Sequence, residues 1–229
     1  MKFILILVVN TLIASSIHAQ SSNSTALDKK IRFGFKLDAG SSWLGPKESY
    51  VQKDGSKFYF SYGFVADFTL TENYIIATGL NISHAGGKLL MKNGYGLKDD
   101  GAIDNGKPNA YAISLQYLEI PFGLKLKTDA IKGIKYYGQF GTYLGINLAA
   151  RMDAEIDNVT YSKEKISGEV PVNMGLDLGI GIEYPFNNKT YGSFGLGFRN
   201  GFIDATKQSS WHDGKVNVNA FFLRTAIYF

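Results

Sequence analysis

The chain predicts an all-β fold: a closed, antiparallel, up-and-down transmembrane β-barrel of eight strands. Three observations carry this: two-residue alternation over long stretches, connections that alternate short and long, and charges confined to one side of each strand. The alternation is longest from Val172 to Phe186. Even positions there carry Val172, Met174, Leu176, Leu178, Ile180, Ile182, Tyr184 and Phe186; odd positions carry Asn173, Gly175, Asp177, Gly179, Gly181, Glu183 and Pro185. A period of two puts successive side chains on opposite faces of a strand, and at roughly 3.3 Å per residue this one extends about 50 Å. Soluble strands usually stop near five or six residues. A strand tilted by about 45° crosses a bilayer's hydrocarbon layer with length to spare at this size.

Residues 1–19 have the order of a cleaved signal peptide: Lys2, an apolar run from Phe3 to Ala14 broken at Asn10 and Thr11, then small residues ending at Ala19. The run is too short for a spanning helix, which needs roughly 20 residues. Export by the Sec pathway is therefore expected. With no cysteine in the chain, neither a lipid-anchored cysteine nor a disulfide framework is available. Residues 20–30 are Ser/Asn/Thr-rich and read as a flexible segment, leaving 31–229 as one barrel domain.

The first strand alternates Ile31, Phe33, Phe35, Leu37 and Ala39 with Arg32, Gly34, Lys36, Asp38 and Gly40. The second, Phe58 to Leu70, sets Phe60, Tyr62, Phe64, Ala66 and Phe68 against Ser61, Gly63, Val65 and Asp67. A polar turn at Thr71, Glu72 and Asn73 joins it to the third, where Tyr74, Ile76, Thr78, Leu80 and Ile82 oppose Ala77, Gly79, Asn81 and Ser83. The segment Gly86 to Asn109 reads as a long loop. The fourth strand, Tyr111 to Lys127, changes apolar parity near Tyr117, which predicts either a β-bulge there or a strand leaving the membrane and re-aiming its side chains.

The fifth strand runs from Tyr136 to Ala149, and a charged loop, Arg151 to Glu169, leads to the sixth, Val172 to Phe186. The seventh, Thr190 to about Asn200, and the eighth, about Val216 to Phe229, complete an even number that can close on itself. Short connections follow the second, fourth and sixth strands and long ones the odd-numbered strands, the habit of tight periplasmic turns and longer external loops.

Charge fixes which face is inside. Lipid exposure of Lys36, Asp67, Glu119, Asp177, Glu183, Arg199 and Arg224 would cost up to about 2–4 kcal/mol for each basic group near the midplane. These residues are expected to point inward, paired, in a lumen that eight strands make just wide enough for side chains. Inward glycines should make room for Tyr137 and Tyr143. Tyr74, Tyr136, Tyr184, Phe186, Tyr191 and Tyr228 are candidates for interfacial girdles. The net charge of +4, or +3 without Lys2, is too small and too interspersed for a nucleic-acid surface.

The run Tyr117-Leu118-Glu119-Ile120-Pro121-Phe122 before a Leu/Lys stretch resembles the fourth-strand signature of the Bacteroidetes outer-membrane β-barrel family that includes the PorT-like proteins. Thr78-Gly79-Leu80-Asn81-Ile82-Ser83 followed by Gly86-Gly87-Lys88, and the Gly-rich Met174 to Tyr184 strand, are similar in the same order. Phe229, with Ile227, Leu223 and Phe221 on its face, is similar to the C-terminal signal read by the outer-membrane assembly machinery. The resemblance implies fold, outer-membrane residence and assembly route, and defines no activity.

Chemistry is sparse. Ser83, His84, Ser210, His212 and Asp213 would share the external rim, where some barrel enzymes place such groups, yet a solvated loop histidine is the default. Asp99, Asp100 and Asp104 lack the periodicity of a calcium loop, and no catalytic, cofactor or metal residues are assigned. The functional expectation is a small outer-membrane barrel with a filled lumen. It would act as a structural or surface-binding protein through its loops, with outer-membrane lipid, and lipopolysaccharide phosphates near the Lys-rich loops, as partners. The alternatives are a narrow porin-like channel, a rim-active barrel enzyme, and a secreted lipocalin-like binder with its apolar face inside.

Overall fold

The computed structural model describes residues 31–92, 94–98, 101–157, 159–165, 170–187, 189–206 and 214–229, with 95–98, 101–104, 163 and 164 described by backbone alone. The expected leader and polar segment, and Ser210, His212 and Asp213, lie outside these residues. Among the described residues, eleven strands follow one another: β1 (Ile31–Pro46), β2 (Val51–Thr69), β3 (Tyr74–Met91), β4 (Tyr95–Lys98), β5 (Gly101–Asp104), β6 (Asn109–Lys127), β7 (Lys135–Ile156), β8 (Val159–Lys165), β9 (Val172–Pro185), β10 (Tyr191–Gly201) and β11 (Val216–Tyr228).

Eight of them form the wall in the order β1-β2-β3-β6-β7-β9-β10-β11, and β11 returns to β1 from Gly34↔Tyr228 to Pro46↔Val216. Every pairing in the wall is antiparallel. Closure removes the edges that strands of this length would otherwise present. The expected closed eight-stranded barrel is thus the observed one. β4 and β5 form a separate hairpin between β3 and β6, and β8 pairs with the outer part of β7.

The short connections have local causes. At 70–73, the Leu70 and Thr71 amides donate to the Tyr74 carbonyl. Lys132 and Gly133, at φ of 52° and 84°, turn the chain between Ile131 and Ile134 before β7, the left-handed pair that suits a two-residue hairpin. After β9, Asn187 Oδ1 accepts from the Lys189 and Thr190 amides, the side-chain mimic of a turn that asparagine favours.

At the other end the expected loops are largely strand. β1 and β2 run on to a connection at 47–50, so residues 41–46 and 51–57 are strand. β3 continues through Gly86 to Met91, and β7 extends to Ile156 with β8 beside it. At 22 residues, β7 extends about 70 Å, well beyond what a crossing strand needs. The barrel wall therefore continues past the bilayer on the side of the long hairpins, which the barrel habit assigns to the exterior.

This extension explains the parity change in β6. Odd residues from Asn109 to Lys127 all point inward without interruption. What changes is the surroundings: below Tyr117 the outward residues are Leu118, Ile120, Phe122, Leu124 and Leu126, and above it they are Ala112, Ser114 and Gln116. Of the two readings, the strand does leave the membrane, but its side chains keep their aim. The bulge belongs to β7, where Leu148 is the extra residue between the pairs Gln116↔Ala149 and Tyr117↔Asn147. Inward residues of β7 are odd up to Tyr143 and Gly145, and even from Ala150 to Ile156.

The belt is as expected: Phe33 is 62% exposed, Phe58 71% and Ile180 65%, exposures that make sense only against hydrocarbon. Tyr74, Tyr136, Tyr184 and Phe186 are exposed near the short-turn end. Tyr191 and Tyr228 do not join that girdle. They share parity with Ser193 and Arg224, pair with each other across β10 and β11, and line the lumen.

Candidate functional site

The seven charged residues expected inside, Lys36, Asp67, Glu119, Asp177, Glu183, Arg199 and Arg224, are all buried in the lumen. They sort into two stacked networks. Nearest the short turns, Lys125 Nζ donates to Asp67 Oδ2 at 2.8 Å and Tyr228 Oη at 3.0 Å. Arg32 bridges Asp67 at 2.9 Å and Glu183 at 3.3 Å, and Lys127 also donates to Glu183. The Arg32 guanidinium lies over the rings of Tyr228 and Tyr191 at 5.0 and 5.3 Å, close enough for cation–π attraction.

The middle network centres on Arg199 and Asp177. Arg199 Nε donates to Asp177 Oδ2 at 2.8 Å, and its Nη1 to Glu119 Oε2 at 2.6 Å and Tyr59 Oη at 2.9 Å. Arg224 Nη2 holds both oxygens of Asp177 at 2.8 and 3.0 Å, and Lys36 donates to Asp38 at 2.7 Å. Tyr143 sits face-on to Arg199, 4.6 Å from ring centroid to guanidinium carbon. Alternation makes this possible, because each strand delivers one inward side chain every second residue at the same depth as its neighbours.

Tyr137 is seated by glycines: a Cβ at Gly181 or Gly195 would lie 2.6 or 2.7 Å from its hydroxyl. Small residues opposite a large one let the narrow barrel fill.

A third layer lies outside the sequence expectations. Above the ionic networks, Leu44, Leu89, Met91, Ile113, Leu115, Met152, Ile156, Val216 and Val218 form one buried apolar cluster with Tyr111 and Tyr117. Outside the bilayer the wall resembles a soluble barrel, apolar inside and polar outside. The signal was in the sequence as Ile113, Leu115 and Tyr117 on the parity of Glu119. The voids found in the lumen are small: about 30 Å³ beside Asp67, Lys36 and Asp177, and about 10 Å³ beside Tyr59 and Arg199. Each has room for only a water or two. A larger groove, about 520 Å³ and lined by Phe35, Tyr184, Phe186, Phe194 and Ile227, lies on the lipid side of the wall.

The rim histidine does not build a nucleophile with its neighbour. Ser83 is fully buried in the lumen, whereas His84 is exposed on the outer face with its ring 6.5 Å from that of Tyr62. Consecutive strand residues cannot share a face. Among the described residues no group of acidic and histidine side chains is arranged to hold a metal ion.

Known proteins frame this geometry. A family profile described as an outer membrane protein beta-barrel domain matches residues 18–203. Among solved structures, Neisserial surface protein A is 13% identical, with 86% of this chain and 97% of that one covered at a TM-score of 0.45. Ail, the attachment invasion locus protein of Yersinia pestis, gives 10%, 88%, 100% and 0.39. OprG from Pseudomonas aeruginosa gives 12%, 86%, 93% and 0.43. No curated protein sequence matches significantly. With the family profile spanning most of its length and a hydrocarbon-facing belt around a closed wall, the chain belongs to the outer membrane protein beta-barrel domain family and is integral to the outer membrane.

Proposed function

We propose that this protein is a non-conducting, non-enzymatic outer-membrane barrel that serves as a rigid pedestal, presenting its long hairpins outside the cell for binding. The observation that carries this is the three-layer lumen, ionic, ionic, then apolar, whose two described voids measure about 30 and 10 Å³. An ion crossing it would have to break charge-assisted bonds in both networks and then pass a dry apolar plug. Purified protein in planar bilayers is expected to give no sustained current. Persistent steps of constant size would overturn the closed-lumen reading in favour of a narrow channel.

Sec export with cleavage after Ala19 belongs to the same reading, checked by the mass of a mature chain starting at Gln20. So does recognition of the last strand by the assembly machinery, supported by Phe221, Leu223, Ile227 and Phe229 on one exposed face. Placement in the PorT-like branch of Bacteroidetes barrels is supported by the ordered Tyr117 to Phe122, Thr78 to Lys88 and Met174 to Tyr184 motifs. Lipopolysaccharide is the partner most accessible to lysines at the outer leaflet.

A further inference from the structure

β2 is the irregular stave. Its pairing with β3 slips twice, between Lys53 and Gly55 and again between Ser56 and Phe60. Beneath this arch its two neighbours approach each other directly: the Gly86 amide of β3 donates to Ser42 Oγ of β1 at 2.9 Å, and Ser42 Oγ donates to the Lys57 carbonyl at 3.4 Å. A Cβ at Gly87 would lie 2.5 Å from the Leu44 nitrogen, so a side chain there would have no room. Bulges re-aim side chains, and along this one three lysines lie on the outer surface, Lys57 reaching toward β6 and Lys53 toward β1.

Lys57 Nζ reaches over Gly86 to Ser114 Oγ at 2.7 Å and the Ala112 carbonyl at 3.4 Å. Lys53 Nζ lies 4.8 Å above the Trp43 ring, and the Lys88 stem lies against Gly55. Lys57 feels repulsion from the Lys88 charge and attraction from Asp153; Asp54 adjoins Lys53 in sequence. Directly below, toward the membrane, the rings of Phe58, Phe60, Tyr62 and His84 form a column with successive centroids 6.3, 5.7 and 6.5 Å apart. The lysines stand where the outer face changes from apolar to polar, the depth of lipid headgroups.

We propose that this face of β2 and β3 is a site for a phosphorylated lipid of the outer leaflet, of the lipid A class. Its phosphate groups are met by the ammonium groups of Lys57 and Lys88 on the β6 side and of Lys53 on the β1 side, and an acyl chain lies on the ring column. Fixed donors above an apolar track match a molecule that carries phosphate on one end and hydrocarbon on the other. The inference deepens the surface-binding part of the proposed function by naming the partner and the residues, and it does not depend on the lumen being closed.

The test is native mass spectrometry of the full chain in detergent, titrated with diphosphoryl lipid A, fully dephosphorylated lipid A and phosphatidylglycerol. Diphosphoryl lipid A is expected to bind best. Each of Lys53→Gln, Lys57→Gln and Lys88→Gln should weaken it about fivefold, and the triple variant roughly 100-fold. The triple Lys→Arg variant should retain binding, and glutamine at Lys132, Lys135 and Lys189, at the opposite end, should change nothing. The heat-dependent gel shift of folded barrels confirms that each variant is folded. Loss of less than about threefold in the triple glutamine variant, or equal binding of the dephosphorylated lipid or of phosphatidylglycerol, would overturn the site. A conducting lumen would sink the pedestal reading and leave this site untouched.

Discussion

Replacing Arg199 by methionine removes the cation that joins Asp177 and Glu119 in the middle of the lumen. Asp177 keeps both hydrogen bonds from Arg224. Glu119 loses its bond from Arg199 at 2.6 Å, and no second cation lies on its other oxygen among the described ion pairs. The cost is therefore set by one carboxylate left buried and unpaired, about 3–5 kcal/mol, with a smaller contribution from the lost Tyr59 hydrogen bond, about 1 kcal/mol. Adding Glu119→Gln to Arg199→Met removes the stranded charge, so the double variant should recover about 1–3 kcal/mol relative to the sum of the singles. The assay is urea unfolding in lipid vesicles, followed by tryptophan fluorescence and by the heat-dependent gel shift, with m-values compared to confirm a common mechanism. Strictly additive effects, or an Arg199→Met cost below about 1 kcal/mol, would refute the network and mean that water screens the lumen.

Ile113→Ala, inside the outer apolar layer, should cost about 2–4 kcal/mol, whereas Gln116→Ala on the outer face of the same strand should stay within about 0.5 kcal/mol; equal effects would mean the layer is not packed. Gly195→Val drives a side chain into the Tyr137 hydroxyl and the Ile180 carbonyl and should destabilise by about 1–3 kcal/mol or more. Truncation of the ring in Tyr137→Ala should relieve part of that cost; no relief would show that Tyr137 is not what the glycine accommodates. Leu196→Arg, on the belt, should cost about 2–4 kcal/mol, and a spin label at Ile180 should relax with membrane-soluble oxygen while one at Ser193 should not. Reversed accessibilities would turn the barrel inside out.

The residue pattern was enough to assign the wall. Strand number, antiparallel closure, the lipid side of Val172 to Phe186 and the inward aim of Lys36, Asp67, Asp177, Glu183, Arg199 and Arg224 all follow from period two and from the cost of charge in hydrocarbon. The turn at Thr71, Glu72 and Asn73 was legible from its polar residues, whereas the Lys132–Gly133 turn was not. The site was only half legible: charges could be placed in the lumen, but not their partners, since which acid meets which base depends on register across strands far apart in sequence. Arg32 and Glu183, or Tyr59 and Arg199, are brought together only by closure.

The outward continuation of the strands, from Ser41 to Pro46, Val51 to Lys57 and Gly86 to Met91, is not legible as strand because the alternation changes sign at the membrane boundary. A polar outward face and an apolar inward face look like lost periodicity when lipid is assumed on both halves. The same inversion hides the apolar layer of Ile113, Leu115 and Tyr117, and makes the change in β6 resemble a bulge that really lies at Leu148 in β7. The double slip of β2 has no sequence signature stronger than Gly55, so the placement of its lysines is decided only in three dimensions. Local pattern determined the barrel and its inside, because side-chain direction in a strand is set residue by residue; tertiary structure decided the ion-pair partners, the plug and the bulged face, because those depend on which strands meet and at what height.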